Sequence, residues 1–220
     1  MWLRHLTNLD ESGRKSWGSA VLTFLIRDLC RNVDASRASM GGCCLFLQAW
    51  VWFRMPTLRP QLRQPTAMLF PLLRRWTTAL SHTGLPESQK EYRFRFDTLT
   101  EDEFVLTPYD SEEIRQITPP DFMRERDLWI SIVPLLNYEI YVWHSTDRVL
   151  RQFGYVQNVP PPPQNMVSFH NLTRHGKTEV DWAEHQASWI ALWAHRFNRR
   201  PEFLQQFMVG GHSVAFNYDQ

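Results

Sequence analysis

Lysine is nearly absent from this chain. Only Lys15, Lys90 and Lys177 stand among 24 basic residues, and 23 acidic residues leave a net charge of +1. A balance this close to neutral argues against a strong electrostatic nucleic-acid binder, which carries a basic excess to displace counterions. Cations that are almost all arginine favour stacking and bidentate contacts over diffuse attraction. Protein interfaces and RNA stacking both fit that preference, and codon bias is the plain alternative. Cysteine is scarce too. Cys30 is isolated and Cys43 adjoins Cys44, so no disulfide framework is expected and a reducing compartment is. There is no long apolar run: Cys43 to Phe53, broken by Gln48, falls short of the roughly 20 residues of a membrane span. Met1 to His5 lacks an apolar stretch for a signal peptide, and the Asn171-Leu172-Thr173 sequon is read as fortuitous. A soluble intracellular protein without a membrane role is expected.

What the chain has instead is aromatic bulk. Ten Trp and fourteen Phe within a 43% hydrophobic composition favour a folded core over disorder. Trp129, Trp143, Trp182, Trp189 and Trp193 are read as core. A helix opening at Asp10 or Ser16 runs to about Asn32, with Trp17, Val21, Phe24, Leu25 and Leu29 at helical spacing. After a polar connector over 34–42, Cys43 to Phe53 is apolar nearly all round, as in a central buried helix, and Pro56, Pro60 and Pro65 end it. Another helix starts near Pro71 and carries Leu72, Leu73, Trp76 and Leu80. Tyr92, Phe94 and Phe96 alternate like a strand, while Tyr92, Phe96 and Leu99 fit a helix. Phe104-Val105-Leu106 and Ile130 to Trp143 look extended and are expected to pair as a ribbon. Glu179 to Asn198 is the clearest helix, with Trp182, Trp189, Trp193 and Phe197 on one face. The fold class is therefore mainly α, a single helical domain over 1–207 with a small antiparallel β ribbon around 104–143, followed by a flexible tail at 208–220.

The densest chemical pattern is Asp147-Arg148-Val149-Leu150-Arg151-Gln152-Phe153-Gly154. Asp147 suits the N-cap of a short helix, Val149, Leu150 and Phe153 its buried stripe, and Gly154 a left-handed C′ position. Arg148 and Arg151 then share an exposed face and form a fork for carboxylate, phosphate or carbonyl groups; the alternative is simple pairing with Asp147 or Glu139. Pro160 to Pro163 reads as polyproline II, a stiff spacer or a ligand for an aromatic groove.

This segment resembles the signature of the plant mobile domain family, also called aminotransferase-like, to which the maintenance-of-meristems proteins belong. Other landmarks agree in order. They are Trp17 to Leu22, Arg27-Asp28-Leu29-Cys30, Gly41-Gly42-Cys43, the aromatic block Leu47 to Pro56 with Arg59-Pro60, Leu99-Thr100-Glu101-Asp102, Pro108-Tyr109, and Val133-Pro134-Leu135 through Trp143-His144. The resemblance spans Trp2 to Phe197 and favours helix for the Tyr92 segment. It departs from the family pattern at Phe53 and Val142, where relatives commonly carry acids, and at Leu106, where they carry tryptophan. No catalytic carboxylate is therefore expected at 53 or 142. Relatives also carry a β-rich leader upstream, so an N-terminally truncated copy is expected.

The aminotransferase label implies a Schiff-base lysine in a desolvated pocket, yet Lys177 sits in the polar run Arg174-His175-Gly176-Lys177-Thr178. Neither cofactor nor metal is expected. His170, His175, His185 and His195 lack zinc-protease spacing, and Asp97, Asp147, Glu179 and Asp181 are the acids a degenerate transposase-type nuclease would use. The resemblance implies a non-enzymatic nuclear protein-interaction domain of transposon origin, acting in meristem maintenance and transposon silencing beside a serine/threonine phosphatase-like partner. Nucleic-acid binding is the alternative. The candidate binding residues are Arg148, Arg151 and Gln152, then Arg54, Arg59, Trp50 and Trp52, the two tryptophans having a core role as their alternative.

Overall fold

A computed structural model describes residues 7–34, 36, 39–64, 67–77, 79–163 and 179–201. The Lys177 run, the sequon, His170, His175 and the 208–220 tail lie outside them. The first helical stretch is two helices, α1 (Leu9–Gly13) and α2 (Trp17–Arg31). Asn8 caps α1 by accepting from the Glu11 N–H at 3.1 Å, and the Trp17 indole closes the junction by donating to the Ser12 carbonyl at 2.9 Å.

The core sits on a hairpin. Strands β3 (Val133–Asn137) and β4 (Ile140–His144) pair antiparallel, with Leu135 opposite Val142. Tyr138, at the first position of the two-residue turn, takes φ 54°, the left-handed geometry such turns require. Both strands are buried along most of their length, so they read as apolar runs rather than alternations. Val133, Leu135 and Val142 pack with Leu22 and Ile26 of α2 and with Trp193. Trp193 belongs to α8 (Ala187–Ala194), which follows the short α7 (Trp182–His185). Tyr141 stacks on Trp189 at 4.6 Å between ring centroids, and burial pushes its phenol up to about 12. Asn137 donates to the Ala20 carbonyl at 3.4 Å, tying the hairpin end to α2.

The expected helix over Glu179 to Asn198 is broken. Gln186, between α7 and α8, is buried, and its amide donates to the Tyr138 carbonyl at 3.3 Å, so it serves the hairpin turn instead of extending a helix. Phe197 is exposed rather than on a common buried face, and all five tryptophans read as core are half-buried. The ribbon also differs from the expected pairing. Phe104-Val105-Leu106 is no strand: the Val105 N–H donates to the Arg54 carbonyl at 2.8 Å, which straps the segment to a helix end.

That helix is α3 (Cys44–Arg54), and its stop is as expected, with Met55 held at φ −122° ahead of Pro56. It is not buried all round. Ala49, Phe53 and Arg54 are buried, while Cys44, Leu45 and Phe46 are exposed. A 3-10 turn over Leu72–Thr77 replaces the helix expected near Pro71, and Leu80 lies instead in strand β2 (Leu80–Ser81), which pairs with β1 (Gln61–Leu62). The Tyr92 segment is helical, as the resemblance favoured: α4 (Gln89–Asp97) starts on Ser88, whose hydroxyl accepts from the Glu91 N–H. Short helices α5 (Glu112–Ile117) and α6 (Pro120–Arg124) complete the side facing α3. Among the described residues, no helix is long and apolar enough to cross a membrane.

Candidate functional site

Helical spacing puts Trp50 and Arg54 one turn apart on one face of α3. The Arg54 guanidinium lies 4.7 Å from the Trp50 ring centroid and 5.1 Å from that of Tyr109. It donates to the Tyr109 hydroxyl at 3.2 Å, while its sealed Nε has no partner. Arg54 is only 4% exposed, and among the described residues no carboxylate pairs with it. A cation left this dry costs several kcal/mol unless rings and acceptors are arranged around it. Ring faces offset part of that cost, at about 1–2 kcal/mol each when desolvated.

Trp50 and Arg54 line a pocket of about 490 Å³ whose other walls include Phe70, Ile114, Trp129 and Phe153. Asp110 reaches the same pocket, but its carboxylate is engaged by Arg126 at 2.9 Å and Arg115 at 3.9 Å. Gln152 lines the pocket beside Phe153, so three of the sequence candidates, Trp50, Arg54 and Gln152, come together there.

Two residues on from Trp50, Trp52 points elsewhere, since residues at that spacing sit on different helix faces. It meets Trp76 edge-on at 5.1 Å, as Phe53 does at 5.5 Å. Arg59 lines a separate pocket with Arg75 and Trp76, and its pKa is lowered by burial first and by the neighbouring Arg75 second.

The Asp147 to Gly154 segment is not one capped helix. It is two 3-10 turns, Thr146–Arg148 and Leu150–Phe153, separated by Val149 at φ −137°, with Asp147 inside the first turn instead of capping it. Gly154 does take the left-handed conformation, φ 81°. The break undoes the arginine fork. Arg148 is exposed and donates to the Pro161 carbonyl, whereas Arg151 is half-buried with its Nε sealed from solvent. Gln157 holds the break open: its amide donates to the Asp147 carbonyl at 2.6 Å and its oxygen accepts from the Leu150 N–H at 2.8 Å. Beneath, Thr146 is fully buried and donates to the Ile130 carbonyl at 2.7 Å.

Sequence reasoning missed Tyr109, Phe153 and the Asp110–Arg126 pair as site residues. In the sequence Pro108-Tyr109 reads only as a landmark and Phe153 only as core. Of the acids considered for nuclease chemistry, Asp181 caps α7, accepting from Ala183 and Glu184 N–H groups. Among the described residues no three His, Cys, Asp or Glu side chains gather as a metal site would need.

The site is thus an aromatic-walled pocket with a buried arginine, carried by a mainly helical domain around one hairpin. The chain belongs to the plant mobile domain family, whose model matches residues 1–212. It is 33% identical over 202 residues to the Arabidopsis thaliana "Serine/threonine-protein phosphatase 7 long form homolog", covering 87% of this chain and 15% of that protein. It is 29% identical over 161 residues to Arabidopsis "Protein MAINTENANCE OF MERISTEMS", covering 72% and 32%, and 32% identical over 153 residues to "Protein MAIN-LIKE 1", covering 70% and 29%. The chain spans about a third or less of the length of these relatives. No solved structure matches it.

Proposed function

We propose that this domain is a non-enzymatic protein-interaction module of transposon origin, working in the nucleus in meristem maintenance and transposon silencing. The observation that carries the interaction reading is the apolar rim of the α3 pocket. Phe46 and Phe122, 41% and 53% exposed, stand at it with Leu73, and exposed apolar groups gathered at one concavity suit a macromolecular partner. The meristem role is supported by the Maintenance of Meristems and Main-like 1 relatives. The nuclear setting, the silencing role and the transposon origin come with the family resemblance. A phosphatase-like partner is supported by the relative named as a phosphatase, in which a matching segment forms part of a much longer chain.

The test is capture of a purified phosphatase of that long-form type by the tagged domain, with and without nuclease, beside a folded Phe46→Ser/Phe122→Ser variant and an Arg148→Ala/Arg151→Ala variant. Nuclease-resistant, salt-tolerant capture that the rim variant loses supports the reading, and capture by neither protein counts against it. Arg59 and Arg75 beside Trp76 favour one second reading, nucleic-acid contact through phosphate and base stacking. Its mark is steep loss of affinity with added salt and dependence on Arg59.

A further inference from the structure

Building on the interaction reading, we propose that the α3 pocket takes a partner segment presenting a carboxylate beside an aromatic side chain, the carboxylate on Arg54 and the ring among the aromatic walls. Arg54 is the reason. An arginine offers five N–H donors, and among the described residues the one protein acceptor for them is the neutral Tyr109 hydroxyl. Trp50 and Tyr109 give the guanidinium ring faces, not a counter-charge. Of the charged groups lining the pocket, Arg54 and Arg126 stand against Asp110, and Asp110 is already engaged by Arg126 and Arg115. One positive charge is left over.

Each alternative occupant meets a specific objection. A purely apolar side chain would fill the walls but dehydrate Arg54 further with no acceptor in return. A cation would be repelled. A phosphate dianion would bring a second charge into walls built from Phe46, Phe70, Ile114, Phe122 and Phe153. A carboxylate matches the guanidinium in charge and in its planar, paired geometry. The volume of about 490 Å³ suits one ring and an adjoining acid. The exposed phenylalanines at the mouth extend the contact to the flanking peptide, as a protein partner requires and a free small acid does not.

The test uses two probes that differ in a single group, acetyl-Asp-Phe-amide and acetyl-Asn-Phe-amide, titrated at millimolar concentration into the full chain while the Arg54 Nε–H and Trp50 indole N–H resonances are followed by NMR. The aspartate probe binds about tenfold more tightly, the size expected for a charge-assisted pair, and shifts both resonances. In Arg54→Gln the two probes bind alike. Because the comparison lies in the ligand, it stands in the wild type even if that variant does not fold. Equal affinities, binding of neither probe, or shifts confined to the Arg59 and Trp76 pocket would overturn the assignment. Phosphatase capture through the rim with no preference between the probes removes the acidic occupant and leaves the interaction reading. A clear preference with no capture does the reverse.

Discussion

The hairpin half and the α3 half of this domain are both rich in aromatic rings, and they treat them oppositely. Around β3 and β4, rings and aliphatic chains close on one another: Tyr141 lies flat on Trp189, and Leu135 is 3% exposed between α2 and α8. Along α3, the rings face a space. Trp50, Tyr109 and Phe70 border a pocket, and the buried group at its edge is a cation instead of a methyl. Aromatic content alone therefore says nothing of role. What separates core from site is whether a second element covers the ring.

The comparison is broken most severely from the hairpin side. Leu135→Ala leaves a cavity in the packed centre of the hairpin and lowers stability by about 3 kcal/mol, read from the urea midpoint; a loss comparable to a surface substitution would show that this half is not the core. A smaller effect is expected at the signature. Gly154 holds φ 81° with open space around its missing Cβ, so Gly154→Ala costs about 1 kcal/mol of backbone strain without any clash. Smaller still is Arg54→Met. Removing a charge with no counter-ion offsets the lost ring contacts, and stability stays within about 1 kcal/mol of the wild type while the preference for an acidic probe disappears. If Arg54→Met instead unfolds the domain, Arg54 belongs with the core.

The last contrast appears only on changing pH. His144, at the end of β4, has its pKa lowered from 6.5 by burial, against a smaller opposing effect of the Ser131 carbonyl 3.1 Å from its Nδ1. The unfolded chain then binds the proton that the folded one refuses. Stability is full above pH 6.5 and falls as pH drops from there toward the folded pKa. Replacing His144 by Gln flattens that part of the profile, measured as urea midpoints on either side of the window.

Much of this was legible in the sequence where the cause is local. Helical periodicity located α2, an apolar run located α3, and proline chemistry fixed the stop before Pro56; the extended run from Ile130 to Trp143 marked where the ribbon lies, but not that it folds back on itself instead of pairing with Phe104-Val105-Leu106. Trp50 and Arg54 stand among the candidates, but with Trp50 grouped with Trp52, which the structure turns to another face. Most misreadings share a different cause, a partner far along the chain. Val105 gives its N–H to Arg54 and Gln186 leaves the helix to serve Tyr138, bonds that no window of neighbouring residues contains. Gln157 splits the signature turn in two from nearby, through side-chain bonds to backbone that no periodicity signals. The pocket is of the long-range kind, because Tyr109 and Phe153 meet Trp50 only once the domain has folded.

The Gln157 brace has a mechanical side. A single side-chain amide clasps the backbone on both sides of Val149, and Arg148 takes hold of the Pro161 carbonyl further on. The prolines between 160 and 163 thus leave a clamped mounting, not a swivel. The backbone that anchors that strap is therefore also the backbone that sets Gln152 and Phe153 as walls of the pocket.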